Sequence, residues 1–167
     1  LLKELDIDKP KNIAVYIMNI IDEYAVDKCF VDNALSGHAI VDECHDNGYG
    51  AVVTRVSFGA SANNKDQYAN KRAEMWDLMN EWLQDEPCSI IDSESLHADL
   101  VSVQKKRDGK NRLLLEKKED MRARGLPSPD RGDSLALTFA EPVRKRRRIV
   151  NTMTQQKRKG WGAIQAL

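Results

Sequence analysis

Behind Asp8 and Pro10, a capping residue and a first-turn proline, Ile13, Ile17, Ile20, Ile21 and Tyr24 recur at intervals of three and four, which predicts an amphipathic helix. The pattern then changes. "KCFVDN" is a short apolar run that stops at Asp32, as a buried strand does. A second helix is predicted from about His38 to Asp46, closed by Asn47 and Gly48. A second strand follows in "GAVVTRVSFG", rich in β-branched residues and bounded by glycines. Strand, helix and strand in that order predict a βαβ unit with a parallel pair and a right-handed crossover.

The second half of the chain repeats the alternation. Asn64 with Gln67 three residues on has the spacing of a capping box and predicts the start of a long helix. Tyr68, Met75, Trp76, Met79, Trp82 and Leu83 would share one face of it, a spacing that belongs to a buried helix face rather than to a base-stacking platform. A short strand is predicted at Ser89 to Ile91, a helix from about Glu94 to Gln104, a polar turn at "KKRDGKNR" and a strand at "RLLLE". A charged short helix, "KKEDMRAR", ends at Gly125. In "GLPSPDRGDSLALTFAEPV" the prolines Pro127 and Pro129 hold the chain extended, so a helix begins only after them. Asp130 then stands at or near the N-cap and Asp133 in the first turn, ahead of an apolar body of Leu135, Ala136, Leu137 and Phe139. No internal repeat is present, and the alternating elements predict a layered α/β sheet.

Composition narrows the class. With 167 residues, 41% of them hydrophobic, the chain is long enough for one domain with a core of its own. The three cysteines, Cys29, Cys44 and Cys88, are odd in number and widely spaced, which argues against a disulfide framework and for a reducing compartment. No stretch approaches the ~18 apolar residues of a membrane span, and no signal-like segment opens the chain. A start at Leu1 rather than Met leads us to expect a fragment of a longer chain. His38, Cys44, His45, Cys88 and His97 lack the spacings of a zinc site.

Charge divides the chain in two. The net charge is zero, yet Arg144, Lys145, Arg146, Arg147, Arg148, Lys157, Arg158 and Lys159 follow Val143 with no acidic residue among them, so the body before it is acidic. The boundary is placed between residues 1–142 and a basic tail, 143–167. Arg144 to Arg148 are the candidate contacts to DNA phosphates, with a solvated terminus of no specific role as the alternative.

Two carboxylates carry the candidate chemistry. Asp32, at the C-terminal end of a parallel strand, lies on the edge where open α/β sheets place their ligands. Asp133, one turn inside an apolar helix, faces either water or a site on the sheet. Read as lying outside the core, it should be replaceable at a cost within ~1 kcal/mol. From composition alone, capping and turn roles are the ordinary explanation of both aspartates. If the two converge, their hard oxygens suit Mg²⁺ or Mn²⁺ and the metal-assisted cleavage of phosphodiesters.

The segments "FVDNALSGHAIVDEC", "NKRAEMWDLMNEWL" and "LEKKEDMRARGLPSPDRGDSLALTFAEPV" together resemble the C-terminal nuclease domain of the large terminase subunit of tailed bacteriophages and prophages, over about Lys9 to Val143. The resemblance implies a ribonuclease H-like three-layer fold, a mixed central sheet flanked by helices. It implies an endonuclease that cuts double-stranded concatemeric viral DNA with two Mg²⁺ or Mn²⁺ ions, works with a portal protein and a terminase small subunit, and acts in the cytoplasm of the bacterial host. Asp32 matches the second of the family's three acidic positions and Asp133 the third. Lys118 matches a basic position near the site, though a solvated helix charge explains it equally well, and Asp130 is a second accessory candidate. The first-strand position has no counterpart, since Glu4, Asp6 and Asp8 sit just before the first helix. The N-terminal strands are therefore expected to be missing from this stretch, leaving an open edge beside Cys29, Phe30 and Val31. No G-x-x-x-x-G-K-[ST] phosphate loop is present, so the ATPase half of such a subunit is not here. The alternative is a non-catalytic prophage remnant or a module that binds DNA or the portal.

Overall fold

Parallel pairing of Cys29–Asp32 (β1) with Val53–Val56 (β2), Cys29 opposite Val53 and Asp32 opposite Val56, anchors the first half of the protein. A computed structural model describes residues 9–34, 36–85 and 87–144. The basic run Lys145 to Arg148, the remainder of the tail and Asp8 lie outside the described residues. Pro10–Tyr24 (α1) precedes the pair, with Pro10 in the first turn as its fixed φ favours and no side-chain cap from Lys9. Gly37–Cys44 (α2) connects the two strands and packs on α1, so the predicted βαβ unit is present. Gly37 is there because nothing larger fits: a Cβ would lie 1.8 Å from the Asp32 carbonyl oxygen. The helix runs on through a wider turn, His45–Tyr49. Ala14, Ile21, Ile40, Val41, Cys44, Val52 and Val53 form the core of this half.

Lys71–Gln84 (α3), Glu94–Ser102 (α4), Lys105–Arg107 (β3), Leu113–Leu115 (β4), Lys118–Ala123 (α5) and Asp130–Leu137 (α6) make up the second half. β3 and β4 pair antiparallel, Lys105 opposite Leu115 and Arg107 opposite Leu113. Helices α3 and α4 both pack on α6, and β4 lies under α3. The second core gathers Val56, Tyr68, Met75, Trp76, Met79, Leu113, Leu115, Ala136 and neighbours. Met75 and Met79 are fully enclosed, which contributes roughly 1.5–3 kcal/mol each by removal from water.

Three local expectations change. The long helix starts at Lys71, not after Asn64, and its cap is Asn70, whose side chain accepts from the Ala73 N–H at 2.9 Å. Asn64 and Gln67 do bond to one another, but in a turn, because Tyr68 bridges to Leu113 and the Ala69 N–H donates to the Leu113 carbonyl. The backbone committed to that bridge cannot also be helical. Ser89 to Ile91 is no strand: it finds no ladder partner among the described residues, and Ile90 and Ile91 are exposed. Lys105 to Arg107, expected in a polar turn, form a strand because the neighbouring Leu113–Leu115 offers a ladder and burial for one partner is enough.

Among the described residues β1 pairs with β2 alone. A groove of about 550 Å³ runs between α1, β1 and α6, lined by Ile17, Ile21, Cys29, Phe30 and Leu137 among others. No helix among the described residues is long and apolar enough to cross a membrane.

Candidate active site

The helix α6 begins after the prolines and holds Asp133 in its first turn as the sequence predicts, but Pro129 is the N-cap and Asp130, the first helical residue, caps nothing. Proline offers no capping side chain, so the first N–H groups of the helix need another acceptor. It comes from α4. Asp99 Oδ2 accepts from the Arg131 N–H at 2.9 Å and from the Gly132 N–H at 3.1 Å.

Asp133 is buried, at 5% exposure, which corrects its reading as a carboxylate outside the core. Its Oδ1 accepts from Arg72 Nε and from Trp76 Nε1, each at 2.9 Å. Arg72 and Trp76 stand one turn apart on α3, so both present to the same face, and the guanidinium lies 5.7 Å from the indole centroid. Arg72 Nη1 also donates to the Glu116 carbonyl at 3.2 Å, which ties the end of β4 into the same cluster. The other oxygen of Asp133 differs. Lys118 Nζ lies 2.9 Å from Oδ2, off the direction of a hydrogen bond, so Oδ2 has a cationic neighbour but no hydrogen-bond donor. Lys118 Nζ is also 3.4 Å from Asp130 Oδ1. Asp130 itself is exposed, and its Oδ1 accepts from the Ser128 hydroxyl at 2.6 Å.

Asp32 is the last residue of β1 and is half-buried. Its Oδ1 accepts from the Ala34 N–H at 3.2 Å, the bond of an ordinary turn aspartate, and it forms no ion pair among the described residues. Helix α6 packs on β1, so the element that carries Asp133 adjoins the strand that ends in Asp32. The structure thus gathers Asp133, Lys118 and Asp130 into one cluster and places Asp32 at the end of the adjoining strand. Of the candidate DNA contacts, Arg144 closes the described residues, and Lys145, Arg146, Arg147 and Arg148 lie beyond them.

A divalent ion fits part of this arrangement. Asp133 Oδ2 is a hard acceptor on a carboxylate whose other oxygen is fixed, the kind of oxygen a hard divalent ion takes, and in this structure it faces the Lys118 ammonium. Among the described residues, however, no three His, Cys, Asp or Glu side chains cluster to hold a metal. Burial, then the neighbouring Cys44, pushes the Cys29 thiol up to about 11, and burial likewise raises Cys44.

Sequence reasoning missed Arg72, Asp99 and Glu116, and it assigned Trp76 to packing alone. A signal existed for two of them. A buried indole N–H requires an acceptor, and an arginine four residues before it on an apolar helix face points to a shared anion. Nothing local announces Asp99, which meets its partners across 32 and 33 residues of chain.

No family model and no curated protein sequence matches the chain. Solved structures do. The nuclease domain of the large terminase subunit of bacterial virus Sf6 superposes with a TM-score of 0.65 at 19% identity, covering 80% of this chain and 73% of that one. A lysine-to-alanine mutant of that domain, solved with manganese, gives a TM-score of 0.67 at 19% identity over 84% of this chain and 77% of that one. The mutant solved with calcium gives 0.63 at 19% identity over 79% and 73%. With one parallel and one antiparallel strand pair among helices, the chain has the α/β, ribonuclease H-like fold of a phage large-terminase nuclease domain.

Proposed function

We propose that the chain is the metal-dependent endonuclease domain of a viral DNA-packaging terminase large subunit, cutting double-stranded concatemeric DNA by two-metal phosphodiester hydrolysis. The observation that carries this reading is the divided Asp133 carboxylate, one oxygen held by Arg72 and Trp76 and the other free of hydrogen-bond donors and facing the Lys118 ammonium. The manganese- and calcium-bound forms of the Sf6 domain support it. Asp32 and Asp133 would hold Mg²⁺ or Mn²⁺, with Asp130 and Lys118 as accessories. Such ions, when bound, supply Lewis acidity and lower the pKa of water. The protein's own groups do the rest. Arg72 and Trp76 fix the direction of the ligand oxygen, Lys118 offsets the charge of Asp130 and Asp133, and Arg144 to Arg148 contact the DNA backbone. The portal protein and the terminase small subunit are its partners under this reading, and the host cytoplasm its place of action. A second reading, a non-catalytic remnant or a DNA- or portal-binding module, draws on the lack of a three-ligand cluster among the described residues.

The test is Mn²⁺-dependent cutting of plasmid DNA by the chain expressed with whatever coding sequence precedes it. Asp32→Asn should abolish cutting while holding stability within ~1 kcal/mol, because only one turn hydrogen bond is altered. Asp133→Asn should also abolish cutting, but at a stability cost of about 3–5 kcal/mol, since it strips a buried guanidinium of its counter-charge. Retained cutting by a folded Asp32→Asn protein would sink the site assignment.

A further inference from the structure

We infer that Asp99, on α4, is a positioning residue for the Asp133 carboxylate, acting through the backbone of the first turn of α6. The inference rests on the reading of Asp133 as a metal ligand. Helices ordinarily draw their N-terminal acceptor from the residue that precedes them. Here that residue is Pro129, and the Ser128 hydroxyl is engaged with Asp130. The first-turn N–H groups of Arg131 and Gly132, just before Asp133, are held instead by a carboxylate from a different helix, both on the one oxygen, Asp99 Oδ2. Asp99 is 7% exposed, so its charge has left water for this contact.

Gly132 shows what the contact accomplishes. A Cβ there would sit 2.8 Å from Trp76 Cη2 and 3.3 Å from Asp99 Cβ, so the α6 backbone rests directly on the indole ring, with Asp99 beside it. The same indole donates its N–H to Asp133, the next residue along. Asp99, Gly132, Trp76 and Asp133 are therefore one joint. Remove the acceptor from α4 and the first turn is free to shift over the ring face, which moves Asp133 relative to Arg72 and Trp76. Partners of this kind, outside the ligand set itself, commonly govern affinity at metal sites.

Two readouts test this: Mn²⁺ binding, by water-proton relaxation, and the indole N–H resonance of Trp76 in a ¹H–¹⁵N spectrum, assigned with Trp76→Phe. Asp99→Ala should shift the Trp76 resonance and weaken Mn²⁺ binding by about ten-fold or more. Asp99→Asn, whose amide oxygen can accept both N–H groups, should restore the resonance and bring Mn²⁺ affinity back to within about two-fold, a rescue expected of geometry and not of charge. If Asp99→Ala fails to fold, Asp99→Glu decides. It keeps charge and acceptor but displaces them by one methylene, and should still shift the resonance and weaken binding. An unmoved resonance with unchanged Mn²⁺ affinity in Asp99→Ala, or in Asp99→Glu where that variant decides, overturns the inference. Asp32→Asn provides the separate check: it should lose Mn²⁺ binding with the Trp76 resonance in place. Undiminished binding in that variant counts against the metal-site reading and leaves the indole test of Asp99 standing.

Discussion

Gly132 and Asp133 are adjacent in sequence and opposite in demand, one requiring no side chain and the other requiring two donors for its own. Adding a single methyl at Gly132 drives it against a buried ring, so Gly132→Ala should cost about 1–3 kcal/mol as overpacking. Thermal denaturation measures this, and an unchanged Tm would mean that α6 is not seated on Trp76. At this scale Asp133 was legible because two prolines followed by an apolar run mark a helix start by short-range rules. Its environment was not. Whether a carboxylate one turn inside a helix meets water or an arginine depends on α3, which no local pattern brings alongside.

Elements were legible where one period governs them and illegible where two backbones compete for the same residues. The βαβ unit and α4 through α6 follow from apolar spacing and stop signals. The start of α3 does not, because Tyr68 and Ala69 are taken by β4 before a helix can include them. Glu74 secures the displaced start: its carboxylate, 4% exposed, accepts from the Asn63 and Asn64 N–H groups at 3.0 Å and from Lys71 Nζ at 2.7 Å. Burial alone would raise this carboxyl, but the Lys71 ammonium and the two amides outweigh it and hold Glu74 below the ordinary glutamate range. A pKa depressed in the folded state adds stability above the unfolded value, about 4.3, and that stability is lost as pH falls through the folded value. Glu74→Gln should therefore cost about 1.5–3 kcal/mol at pH 7. The difference should fade once the solution is acidified past the glutamate range. Urea melts at both pH values check it, and a difference independent of pH would refute the ion-pair account.

Across the molecule, the distribution of charge matters more than its sum. Eight basic residues lie at Arg144 and beyond, with the acidic excess before them. Under the proposed DNA-cutting reading, deleting residues 143–167 should flatten the dependence of DNA binding on salt, by up to ~0.9 in the logarithmic slope for each phosphate the tail no longer neutralises. Filter binding across a salt series measures the slope, and an unchanged value would assign the arm another task. The fold class was legible at this scale because alternating strands and helices admit few architectures. The division into a parallel pair and a separate hairpin was not, since a sheet edge depends on what lies beside it.

The Arg72–Asp133 ion pair spans 61 residues and the Trp76–Asp133 hydrogen bond 57. Interactions so distant along the chain form late, after the entropy of closing the loop between them has been met. A polypeptide leaving the ribosome N-terminus first thus completes α3 well before the acid it is shaped to receive exists. Until α6 docks, Arg72 has no carboxylate to neutralise and Asp133 no fixed orientation. The joint between α3 and α6 therefore waits on the synthesis of α6, and a product that stops short of Asp130 would have α3 without the carboxylate that pairs with it.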